Sequence, residues 1–442
     1  MNKEQILKHV EDLTAEQLFE YVKPGIVTLT ELKETGRLDV RKRTMITEFQ
    51  KQLDLQDEEA WKRAQYGNEM MLSDYISHYP AGKYVPDAKE KIQYLEQARR
   101  QAQADKQGIL EKLQRNPNTC SPGTITDYLQ NGTITKDELL NCGIPNDIIE
   151  CINTIQSFDL ELGETPKAIP AGFTEVYFWG IPGSGKTCAL AAILSTADHA
   201  GLLNIVSGPG YDYMTRLKNI FIEKPAILPP PSPVDTTQYL PFTLKKKDEK
   251  YPRSISLIEL SGEIFQCFYY RSARQPFFSQ SHQDTFETLE RFLKGNNRKI
   301  HFFFIDYEKE NKKDMYGLLQ GDYLAAATEY FRQNDIFKKN TDAIFVVLTK
   351  SDLMPCSAAE REKEAINYLN NQNFKSFYFT LRDRCKQHSI NSGHLTIEPF
   401  SLGKVYFQQI CDFDNNSATK FLDIFMERIA KNSKSILDIF NK

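Results

Sequence analysis

The chain has 442 residues, enough for two or three domains that each bury a core. Its 55 Lys and Arg stand against 59 Asp and Glu, a net charge of -4, so nothing in the balance asks for nucleic acid or an anionic membrane as the main partner. Eight scattered cysteines form no CxxC pair and have no His at zinc spacing, which points to free thiols in a reducing compartment. Residues 1–12 read as a short amphipathic helix rather than a charged-then-apolar leader, and the longest apolar runs, 301–305 and 343–348, are of strand length. The expectation is a cytoplasmic protein with no membrane span.

Residues 1–165 read as an all-α region with an internal repeat, its copies near 14–50 and 121–157. Tyr21, Gly25, Thr28, Glu31, Leu32 and Gly36 recur as Tyr128, Gly132, Thr135, Glu138, Leu139 and Gly143, at a constant offset (128 minus 21, or 107). In each copy a helix stops at a Gly able to take positive φ, and the next starts on Thr-x-x-Glu, the pattern of a capping box. Between the copies, near 58–115, the pattern predicts an αα-hairpin. One helix carries Trp61 and Tyr75, the chain breaks at 80–82, and a charge-rich helix runs to about Arg115. This pair is similar to a single tetratricopeptide-type unit, which serves either as packing scaffold or as a docking surface for a protein partner. Arg99, Arg100 and Lys106 belong to the solvated face of the long helix. A Pro- and Gly-rich linker falls at 163–172.

Residues 166–442 carry the chemistry. Residues 176–190 read V-Y-F-W-G-I-P-G-S-G-K-T-C-A-L: a short apolar strand, then Gly180, Gly183, Gly185, Lys186 and Thr187, then a helix. This is GxxxxGK followed by Ser or Thr, in its required strand-to-helix context. A phosphate chain accepts backbone N–H groups at close range only where side chains are missing, hence the glycines. The helix start aims its unpaired N–H groups and positive dipole end at the same place. Lys186 is expected to bridge two phosphates and the Thr187 hydroxyl to ligate Mg²⁺, with Ser184 and Cys188 completing the cradle.

Further along, 207–234 reads as loop because Pro229, Pro230, Pro231 and Pro233 oppose regular structure. Strands at 239–244 and 254–260 form a hairpin that ends in E-L-S-G-E at 259–263. A strand at 300–306, a helix at 316–332 and a strand at 343–348 follow, the last running into T-K-S-D at 349–352. A strand at 396–400 leads into Ser401, Leu402 and Gly403, and a helix at 418–440 closes the chain. Alternating strands and helices predict an α/β fold with a mainly parallel sheet and its ligand at the carboxyl edge.

These stations, in this order, resemble the P-loop GTPases of the translation-factor and Ras-like type over roughly residues 172–442. The resemblance implies a G domain that binds GTP or GDP with Mg²⁺. It implies a phosphate loop at Gly180 to Thr187, a switch I threonine at Thr236 or Thr237, and a switch II station from Glu259 to Gly262. A base-reading station falls at Thr349, Lys350 and Asp352, and a last one at Ser401 and Leu402. Metal ligands would be Thr187, Thr237 and Glu259. Lys186, Thr187, Glu259 and Gly262 would carry catalysis. Glu259 stands where the family has Asp, and Thr349 where it has Asn. The chemistry of the base station is direct, since one carboxylate at Asp352 can accept both N–H groups on the guanine edge while adenine presents an acceptor there. Lys350 would lay its stem along the base.

The family often places Gln or His just after switch II to orient the attacking water. Glu263 stands there instead, so slow turnover is expected. Arg271 and Arg274, which follow switch II, could stabilise transition-state charge but read first as surface residues. The leading expectation is a Mg²⁺-dependent GTP-binding switch, a slow GTPase whose helical region contacts a protein partner, with room for a nucleotide-dependent dimer. Two alternatives stand: an ATPase using Asp306 as its acidic residue, and a scaffold that binds guanine nucleotide without hydrolysing it.

Overall fold

The computed structural model describes residues 1–152, 155, 168–208, 210–229, 237–338 and 340–440, with side chains to residue 430. Thr236 and residues 163–167 of the expected linker lie outside the described residues. The chain divides into two compact units, Met1–Glu111 and Lys112–Lys442. The second copy of the repeat therefore lies in the second unit, while the first copy lies in the first.

The first unit holds α1 (Lys3–Lys8), α2 (Ala15–Val22), α3 (Leu29–Glu34), α4 (Val40–Ala64), α5 (Glu69–His78) and most of α6 (Val85–Arg115). Trp61 and Tyr75 sit on different helices, α4 and α5, and not on one as the spacing suggests. The chain breaks at Gly67, and Asn68 opens α5 by accepting the Met71 N–H at 3.1 Å. The indole of Trp61 packs against Tyr75 and stacks on Tyr84 with centroids 5.5 and 5.4 Å apart. The hydroxyl of Tyr75 donates to the buried carboxylate of Asp57 at 2.5 Å.

The second unit opens with α7 (Pro122–Gln130), α8 (Lys136–Asn141) and α9 (Asn146–Cys151). The two repeat copies share their local geometry. Gly25 and Gly132 take φ of 76° and 74°, and Gly36 and Gly143 take 67° and 80°. Thr28 and Thr135 each form a full capping box, with Glu31 and Glu138. Leu18, Val27 and Leu32 are buried, as are Ile125, Ile134 and Leu139 at the same offset. A positive φ reverses the chain at each glycine, and the box satisfies two orphan donors of the next helix.

The rest of the second unit is a seven-stranded sheet in the order β2, β4, β5, β1, β6, β7, β8. Its strands are β1 (Thr174–Trp179), β2 (Leu203–Ile205), β4 (Thr237–Leu244), β5 (Arg253–Leu260), β6 (Arg298–Asp306), β7 (Thr341–Thr349) and β8 (Thr396–Phe400). β5, β1, β6, β7 and β8 run parallel; β4 is antiparallel to β5 and β2 to β4. Both faces are covered, so the central strands read as continuous apolar runs such as H-F-F-F-I in β6. One face packs on α10 (Lys186–His199), α11 (Tyr211–Asn219) and α17 (Asn416–Phe440). The other packs on α12 (Gly262–Ser272), α13 (Gln280–Lys294), α14 (Gln320–Gln333), α15 (Arg361–Leu369) and α16 (Lys375–Gln387).

Two segments differ from the sequence expectation. The stretch 207–234 holds α11 and the short strand β3 (Ala226–Ile227), not loop throughout, because Tyr213, Met214 and Leu217 supply an apolar helical stripe that tertiary packing buries. Between β8 and α17 the chain forms a hairpin, β9 (Gly403–Tyr406) and β10 (Ile410–Phe413), which joins β3 in a separate three-stranded sheet. None of the described helices is long and apolar enough to cross a membrane. All eight cysteines are free thiols.

Candidate functional site

Five parallel strands deliver their carboxyl ends to one edge of the sheet, where an open α/β sheet presents its ligand. β1 runs straight into the glycine loop. Gly183 and Gly185 have φ of 70° and 86°, which only glycine adopts without strain, and a Cβ on Gly180 would fall 2.7 Å from the Phe304 carbonyl oxygen. Gly185 is the cap of α10 and offers no side-chain oxygen, so the first-turn N–H groups of this 14-residue helix receive no side-chain cap. A helix start of this kind is where an anion can accept backbone N–H groups. Lys186 curls beneath the loop and donates to the carbonyls of Gly180 at 2.8 Å and Ile181 at 3.1 Å. Burial pulls its pKa down to about 8, against the pull of Glu259 and Glu263. Ser184 is fully buried, and its hydroxyl has no hydrogen-bond partner among the described residues.

The register sets Glu259 of β5 beside Phe178 of β1, just before the loop. The Thr187 hydroxyl donates to Glu259 Oε1, and Tyr213 donates to Oε2 at 2.6 Å. The Glu259 carboxylate thus reaches Thr187 directly, and only 2 % of the residue is exposed. Gly262, three residues on, is pressed against the loop: a Cβ there would fall 2.0 Å from the Pro182 nitrogen. Cys188 packs beside the core in the first turn of α10, and burial pushes its thiol up to about 12, so it stays protonated.

Asp306, the other acidic candidate, ends β6 on the opposite flank of β1. Its carboxylate is engaged by Lys350 at 2.9 Å and accepts the Glu308 N–H at 3.0 Å. Lys350 also bonds Glu308 at 2.7 Å. Burial works against the charge on Lys350, but Asp306 and Glu308 outweigh it and its pKa is raised.

At the base-reading station the described geometry redistributes the expected roles. Thr349 does not face outward. Its hydroxyl is 4 % exposed as part of the residue and donates to the carbonyls of Ser184 and Ile305, both at 3.0 Å, which ties the end of β7 to the phosphate loop. Lys350 takes a left-handed φ of 56° and turns the chain so that Asp352 emerges exposed. Ser401 Oγ donates to Asp352 Oδ1 at 2.7 Å, so the last two stations meet. Leu402 packs against the core, and Gly403, with φ of 98°, starts the β9–β10 hairpin instead of a helix.

Thr237 pairs with Leu260 while Gln238 pairs with Glu259, and residues opposite one another share a sheet face, so along β4 Thr237 lies on the face away from Glu259. The described residues hold no group of three or more His, Cys, Asp and Glu that could bind a metal. A hydroxyl and one carboxylate suffice for Mg²⁺, which keeps most of its waters, so Thr187 and Glu259 fit that ion. The structure brings to the Glu259 carboxylate a residue that the sequence reading did not single out, Tyr213, whose signal is the stripe of α11.

Compared with protein-family models and with curated proteins, the chain gives no match in either.

Proposed function

We propose that this protein binds guanine nucleotide with Mg²⁺ at the carboxyl edge of its sheet and hydrolyses GTP slowly, as a switch. The observation that carries the reading is the Thr187 hydroxyl on Glu259, because it joins a phosphate loop to the carboxylate that a Mg²⁺-assisted site needs. Thr187 and Glu259 would hold the ion. When bound, Mg²⁺ neutralises charge on the transferring phosphoryl group. The amides of Gly183 and Gly185 and the uncapped turn of α10 receive the phosphates, and Lys186 adds a cation from below. Asp352, exposed and oriented by Ser401, accepts the paired N–H groups of the guanine edge.

Asp306 is the weaker candidate for the metal carboxylate because Lys350 already occupies it. The N-terminal helical region is the part we assign to a protein partner, which would read the nucleotide state.

Competition of GTP, GDP and ATP against a fluorescent guanine nucleotide tests the reading. GTP and GDP are expected to displace the probe, with ATP weaker by about 10²-fold, the scale set by leaving a polar pair unmade. Equal displacement by ATP removes the base assignment.

A further inference from the structure

The loop after β6 is fastened at more points than a connection needs. Gln320 brackets the backbone of Asp306, donating to its carbonyl at 3.0 Å and accepting its N–H at 2.9 Å. Tyr368 donates to the Tyr307 carbonyl at 3.1 Å. Asn371 donates to the Glu310 carboxylate at 2.6 Å, and Asn373 to the Glu310 carbonyl at 3.3 Å. Between these anchors Lys309 leaves its own loop and reaches the phosphate loop. Its ammonium donates to the Pro182 carbonyl at 2.6 Å and lies 3.0 Å from where a Cβ on Gly183 would be. Asp306, 4.0 Å away, flanks it on the other side. Burial lowers its pKa, with Asp306 opposing and Lys350 and Lys312 adding to the effect.

A cation already held beside Gly183, in the loop that the proposed function gives to the phosphates, costs little reorganisation when charge develops there, which is the condition for electrostatic catalysis. We propose that Lys309 is a catalytic residue, a cation supplied by the chain itself that stabilises the oxygen between the β and γ phosphates as its bond breaks. This rests on the reading of the site as a triphosphate hydrolase. In the step, a water oxygen bonds to the γ phosphorus and the bond from that phosphorus to the bridging oxygen breaks. The electron pair stays on the bridging oxygen, giving diphosphate and inorganic phosphate with one proton released to solvent. Lys309 stays protonated and donates an N–H to that oxygen. It fills part of the gap left by Glu263. Arg271 is less well placed, exposed nine residues along α12 from Gly262, about 13.5 Å by helical rise.

The test uses the full chain and the variants Lys309→Met and Lys309→Arg. Affinity for a fluorescent, non-hydrolysable guanine triphosphate, phosphate release from GTP in single turnover, and thermal midpoint are measured for each. The expected result is that Lys309→Met binds within about threefold of wild type, melts within a few degrees of it and hydrolyses on the order of 10²-fold more slowly, while Lys309→Arg recovers part of the rate. Hydrolysis by Lys309→Met at the wild-type rate overturns the proposal. So does a loss of binding and of thermal stability together, which marks a tether for Pro182 and nothing more. Wild type that binds but never hydrolyses overturns the catalytic role and leaves the binding site standing, whereas wild type that binds no nucleotide removes the underlying reading as well.

Discussion

Single side chains at the sheet edge make opposed demands on protons and partners. Lys186 has a folded pKa near 8, so between there and its ordinary 10.5 the folded protein binds fewer protons than the unfolded chain. That group therefore adds stability as pH rises through this window, and removes it as pH falls. Phosphate reverses the preference, because it binds the protonated lysine. Nucleotide affinity is expected to be flat from pH 6.5 to 7.5 and to fall by up to about tenfold per pH unit above 8, which titration at each pH measures. An affinity unchanged at pH 9 would show that Lys186 does not meet the phosphates. Asp352→Asn replaces an acceptor with an amide and is expected to weaken guanosine nucleotides while favouring xanthosine nucleotides, whose C2 oxygen accepts; unaltered guanine affinity would contradict the contact. Tyr213→Phe removes the donor to Glu259 Oε2 at a cost of about 1 kcal/mol in a thermal melt. It is also expected to raise the Mg²⁺ concentration needed for tight nucleotide binding.

At the scale of elements, α12 packs its first residue against the glycine loop as well as its apolar face against the core. Gly262→Ala would drive a methyl onto the Pro182 backbone, and neither side can move aside without displacing the loop or the helix. Nucleotide affinity is expected to fall at least tenfold with a lower thermal midpoint; a variant with wild-type affinity would mean that the loop has slack which this packing lacks. The repeat elements report a simpler balance. Thr28→Ala and Thr135→Ala each remove the acceptor of a capping box, costing about 1 kcal/mol in chemical denaturation.

Strand ends were readable because their apolar runs are long, while α11 was hidden by the prolines downstream of it and by its half-polar composition. Thr237 stands out in the sequence only by its place in the chain order. The pairing of Gln238 with Glu259, which turns Thr237 to the other face, is invisible without the register.

For the whole molecule, two compact units imply two responses to a ligand. Calorimetry of the full chain is expected to resolve a transition that nucleotide leaves in place and one that it raises, by about 2.7 kcal/mol of stabilisation at a hundred times the dissociation constant. A single transition shifted as a whole would mean that the units unfold together. What residues 1–442 determined alone is local: the glycine turns, the capping boxes, the repeat offset and the strand–glycine loop–helix turn at 176–190, since each depends on neighbours within a few positions. Tertiary structure gave Glu259 and Asp306 different partners. Both close strands that flank β1, and no local pattern ranks them; Lys350, brought in from β7, takes one carboxylate and leaves the other to Thr187. That difference depends on pairings between residues 44 and 72 positions apart, whose competition exists only once the sheet has formed.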